Sequence, residues 1–82
     1  MSTLQDVMDR VGLTGLRIYL EIQHSAELSN SEWVPTYSIS FADRLRLQPN
    51  VVRRKLADLS AWGFIERTKA HTGTPLAKVK NG

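Results

Sequence analysis

The side chains best equipped for recognition chemistry lie between residues 49 and 62: Asn50, Arg53, Arg54, Ala57 and Ala61. On a helix advancing 100° per residue these five fall within about 100° of one another, on the side away from Val52, Leu56 and Leu59. A guanidinium offers forked donors that match two acceptors in one plane, such as the O6 and N7 edge of guanine. A carboxamide sets a donor beside an acceptor, which is the pattern adenine pairs with. The two alanines add a steric condition, because a surface that carries small side chains between long donors can approach its target closely. The major groove of B-DNA is about 12 Å wide, admits one helix and makes that demand. Asn50, Arg53 and Arg54 are therefore the candidates for contact with base edges, and Asn50, near the helix start, is also placed to hold a phosphate.

Gln48 opens the same segment, and Lys55, Arg44 and Arg46 lie toward its flanks, where contacts to phosphate set affinity without reading sequence. Farther along, Arg67, Lys69, His71, Thr72, Thr74, Lys78 and Lys80 offer donors for backbone or minor-groove contact. The charge is unevenly divided. Residues 1–40 hold two basic and five acidic side chains, whereas residues 41–82 hold nine basic and three acidic ones. A basic half attracts a polyanion. Basic side chains also solvate ordinary helix faces, so the positions of the charges carry the argument.

These residues need elements to hold them. Leu4, Val7, Met8 and Val11 predict a first helix over Thr3 to Val11, capped by Ser2 or Thr3 and ended by Gly12. Thr14 suits the cap of a second helix from about Gly15 to Glu27, whose apolar arc is wide enough to cover the first helix or a second subunit. Pro35 disfavours helix before it, Thr36 to Ile39 favours a short strand, and Ser40 with Asp43 forms a capping box for a third helix over Phe41 to Arg46. Pro49 suits the first turn of a fourth helix that runs to Trp62, with Trp62 on its core flank and Gly63 as its stop. Phe64 to Lys69 and Leu76 to Lys80 then read as two antiparallel strands around a turn at residues 70–75.

Composition bounds the answer. The 82 residues, 41% of them hydrophobic, make one small domain over 1–82, divided into N-terminal helices (1–28), a helix-turn-helix (36–63) and a hairpin (64–80). The absence of Cys removes disulfides, zinc fingers and cysteine nucleophiles. His24 and His71 lack ligand-like spacing to any partner, and Asp6 and Asp9 favour a helix N-terminus rather than acid–base work, so no metal, cofactor or enzyme class gains support. No apolar run has the length of a membrane span and residues 1–10 do not read as a signal peptide, so the expected location is cytoplasmic.

The order of short helix, tight connection, helix with a basic outer face and basic hairpin is that of a winged helix-turn-helix. The run from Ile39 to Arg67, about 29 of the 82 residues, resembles the bacterial winged-helix regulators of the MarR and ArsR type. Those carry apolar-Ala-x-x-Leu (here Phe41-Ala42-Asp43-Arg44-Leu45), a short turn, a Val-bearing recognition helix, and Leu-x-x-Leu-x-x-x-Gly-apolar-apolar (here Leu56 to Ile65) leading into the wing. Arg46 departs from the pattern at a turn position often filled by Gly, and Gln48-Pro49-Asn50 opens the helix differently. The resemblance implies a mostly α fold with a small antiparallel sheet, and a transcription regulator, such as a repressor, that binds double-stranded DNA. It also implies a homodimer on half-sites about 10 bp apart or a multiple of it, paired through excess apolar surface that includes Leu4, Met8, Ile18 and Ile22. A plasmid or phage replication, partition or conjugation protein is an alternative use of the same helix. A winged helix used for protein–protein contact is another.

Overall fold

In the computed structural model, which describes residues 4–80, helix α1 (Leu4–Ser29) bends where Gly12 adopts φ 78° and ψ 179°. A side chain disfavours that conformation, so α1 is two helical segments joined at a glycine, as the apolar spacing predicts. The cap expected at Ser2 or Thr3 lies outside the described residues. Thr14 makes no side-chain hydrogen bond among the described residues, so the second segment starts without the expected cap. It continues two residues past Glu27 and closes at Asn30 (φ 53°), after which the Ser31 N–H donates to the Ala26 carbonyl at 3.1 Å.

The short strand β1 is Val34–Pro35, and helix α2 spans Ser38–Leu45. This corrects the expected strand over Thr36 to Ile39: Ser38 and Ile39 are helical. The Ser40–Asp43 capping box is likewise not the helix start, because Tyr37 is the N-cap, in extended conformation and without a side-chain cap bond. Tertiary packing overrides the local strand preference. Val34 pairs with Ala77, the Thr36 N–H donates to the Pro75 carbonyl at 2.9 Å, and buried Phe41 and Ala42 draw the next residues into a helix one turn early. Arg46 ends α2 in the left-handed conformation (φ 56°).

Helix α3 (Pro49–Ala61) starts with Pro in its first turn and stops at Trp62 and Gly63, where Gly63 has φ 79°. Strands β2 (Ile65–Lys69) and β3 (Pro75–Val79) pair antiparallel with Arg67 opposite Ala77, and β1 adds to the other side of β3, giving the order β1-β3-β2. The chain is thus mostly helical with a three-stranded antiparallel sheet. Its core brings together Val7, Ile18, Ile22, Phe41, Val52, Leu56, Leu59 and Ile65 from every helix and the sheet. Ile18 and Ile22 are wholly buried there and are not available to a second subunit, whereas Leu4 and Met8 remain exposed. The wide arc of α1 is used inside the molecule, against α2, α3, β1 and β3. Burial raises the pKa of the Tyr19 phenol, which packs in this core as a neutral group. Among the described residues no helix is long and apolar enough to cross a membrane.

Candidate nucleic-acid interface

Burial of Val52, Leu56 and Leu59 sets the rotation of α3 and leaves Asn50, Arg53, Arg54, Ala57 and Ala61 all exposed on its other side. Arg54 lies about 200° around the helix from Val52, close to the point farthest from the core, with Ala61, Asn50 and Ala57 beside it. Arg53 lies about 100° around, toward one edge. Its guanidinium donates to Asn50 Oδ1, so the two side chains form one unit whose amide nitrogen still has donors to offer. The Arg54 side chain has no ion pair or hydrogen bond among the described residues. Asp58 follows Arg54 by four positions and is the carboxylate nearest this face by helical geometry, also without an ion pair among the described residues. The sequence pattern did not single it out, although its spacing from Arg54 was the available signal.

The flanking cations differ in what already occupies them. Lys55 Nζ donates to the Val11 carbonyl at 2.9 Å, satisfying the end of the first α1 segment from across the core. Arg44 pairs with Glu21 at 3.1 Å and covers the Phe41 ring at 5.4 Å. Arg46 is exposed and has no such partner among the described residues. Gln48 is exposed, and its carbonyl accepts from the Val51 and Val52 N–H groups. Trp62, expected on the core flank, is 52% exposed, and the Arg10 guanidinium stacks 4.6 Å from its ring centre. Position at the helix C-cap turns its ring to the rim.

In the hairpin, Arg67, Lys69, His71, Thr72 and Lys80 are exposed. Lys78 is not free in the same sense. Its ammonium lies 3.6 Å from Glu66, its cross-strand neighbour, 4.0 Å from Glu32, and 5.1 Å from the centre of the Trp33 ring. That cluster borders a groove of about 660 Å³ at the end of the hairpin away from its turn, lined also by Gln23, Glu27 and Lys80. At the turn itself Tyr37 Oη donates to Thr74 Oγ1 at 3.1 Å, and Thr74 Oγ1 lies 2.9 Å from Thr72 Oγ1. Tyr37 carries no recognition signal in the sequence, since its partner lies 37 positions away.

The arrangement thus joins Asn50 with Arg53, leaves Arg46, Arg54, Arg67 and Lys69 without ion pairs among the described residues, and commits Arg44, Lys55 and Lys78 to internal contacts. Comparison with known protein families, characterised proteins and solved structures finds no match to this chain.

Proposed function

We propose that this chain is a winged helix-turn-helix domain that binds double-stranded DNA as a transcription regulator, with α3 in the major groove and the β2–β3 hairpin on the flanking backbone. The observation that carries the reading is the outer face of α3, where Asn50, Arg53 and Arg54 stand exposed beside Ala57 and Ala61 while the opposite face is buried. Small side chains admit the helix to the groove, and the long donors reach base edges from there. The succession of α2, a tight turn at Arg46 and Leu47, and α3 supports the helix-turn-helix. Pairing of β1 and β2 on either side of β3 supports the winged form. Arg67 and Lys69 supply the wing with cations, and Arg46 supplies one at the turn, for phosphate contacts that fix register.

Regulation then follows from occupancy: a bound site near a promoter blocks polymerase or recruits it. A second copy completes the reading, because two-fold pairing doubles the contacted half-sites. The test is to incubate the protein with a pool of random duplexes at several salt concentrations and sequence the retained fraction. A recovered motif whose retention falls steeply with salt is the expected result. Retention without a motif points to nonspecific binding, and no retention at low salt refutes the proposal.

A further inference from the structure

The turn between β2 and β3 carries a chain of three hydroxyl groups that crosses between two elements. Tyr37, the N-cap of α2, donates to Thr74 at 3.1 Å, and Thr74 and Thr72 share a hydrogen bond of 2.9 Å. Backbone bonds hold the same place: Thr36 N–H to the Pro75 carbonyl, Ala70 N–H to the Thr74 carbonyl and Gly73 N–H to the Ala70 carbonyl, each 2.9 Å. Three hydroxyls bring three O–H donors, and the chain consumes two of them. Whichever threonine donates to the other, one threonine O–H is left without an acceptor in the chain. It sits at the hairpin tip among Lys69 and His71, both exposed. A leftover donor near the Lys69 ammonium, whose strand partner is Pro75, suits an oxygen that only accepts and carries negative charge, and the phosphodiester backbone presents such oxygens at every step.

The placement of Tyr37 is informative because the residue is 49% exposed, so packing explains its conformation poorly. Hairpin tips of small polar residues are normally among the most mobile parts of a domain. A link from the tip to the start of α2 restricts that motion before any ligand arrives, and so reduces the ordering cost at the moment of binding. Resting on the DNA-binding reading above, we propose that Tyr37 is a positioning residue for the wing: it pins the hairpin turn to α2 and orients a threonine hydroxyl to donate to a DNA phosphate oxygen.

The test compares wild type, Tyr37→Phe, Thr74→Val and Thr74→Ser in duplex binding across a salt series, alongside thermal unfolding. Tyr37→Phe keeps the ring and removes only the hydroxyl. The expected result is an unchanged unfolding midpoint and an affinity reduced about fivefold at every salt concentration, with the slope of log K against log salt as in wild type, because a neutral hydroxyl displaces no counterion. Thr74→Val should reproduce that change, and Thr74→Ser should bind as wild type does. Wild-type affinity in Tyr37→Phe overturns the inference while leaving the DNA reading intact. So does a lowered midpoint whose affinity loss disappears when binding is measured well below that midpoint, which assigns Tyr37 to stability alone. A wild-type protein that retains no duplex at low salt refutes the DNA reading itself and this inference with it.

Discussion

Arg54 and the Arg53–Asn50 pair place different demands on a ligand. Arg54 stands near the point of α3 farthest from the core, whereas Arg53 is held at the edge by its bond to Asn50. On the selected duplex, Arg54→Ala and Arg53→Ala are each expected to cost about 1 to 3 kcal/mol and to relax the preference at one base position. Equal losses on selected and random duplexes would remove base reading from the account. Lys55 belongs to another class, since its ammonium caps the Val11 carbonyl. Lys55→Met keeps the stem and discards the charge, and urea unfolding should register a loss of about 1 to 2 kcal/mol. The salt slope of DNA binding should stay as in wild type, because no phosphate contact is lost. Arg46 holds a left-handed conformation that glycine adopts with less strain. Arg46→Gly should therefore stabilise the fold by about 0.5 to 1 kcal/mol in the same unfolding assay. It should also weaken binding to all duplexes alike, the mark of a lost phosphate contact.

Among the elements, α1 depends on two glycines for different reasons. Gly12 needs its positive φ to join the two segments, and Gly15 needs the absence of a side chain, because a Cβ there would overlap the Val11 side chain. Val11 is 3% exposed and held in the core, so it has little room to yield. Gly15→Ala is expected to destabilise the protein by about 1 to 3 kcal/mol, read from the urea midpoint at constant slope. An unchanged midpoint would show that the first segment can shift without loss. Helix α3 depends on α1 through Lys55 and through the Arg10–Trp62 stack, so its exposed face with Asn50 and Arg54 is held by the segment that ends at Gly12.

At the scale of the whole molecule, the longest extent is 34 Å. That is about one turn of B-DNA, the centre-to-centre spacing of the half-sites that a two-fold pair contacts. A two-fold pair would have to use surface left over from the core. Leu13 and Leu20, seven positions apart on one stripe of α1, are 60% and 38% exposed, and Leu4 and Met8 are exposed as well. Sedimentation of the wild-type protein is expected to give twice the chain mass, and Leu20→Glu should return the mass of a single chain. The variant should then lose more affinity on paired half-sites than on a single one. A wild-type protein that sediments as a single chain even when bound to paired sites would refute the pairing.

Local rules suffice for part of this molecule. Apolar spacing located three helical segments of α1 and α3, Gly12 and Gly63 marked two of their ends through backbone freedom, Pro49 marked a start, and residues 70–75 marked the turn, of which Pro75 instead opens β3. The exposed face of α3 was legible for the same reason, since periodicity that buries Val52, Leu56 and Leu59 necessarily turns Asn50, Arg53 and Arg54 outward. Which charges remain unpaired and which apolar groups are spent on the core depends on long-range contacts. Glu21 lies 23 positions from Arg44 and Val11 lies 44 from Lys55, and no local pattern records such meetings. The same holds for Ile18 and Ile22, whose stripe is apolar whether α2 and the sheet or a second chain covers it, and for residues 36–39, where pairing with β3 and burial of Phe41 outweighed a local preference for strand. Local geometry sets what a residue can present; the long-range contacts set what it is still free to meet.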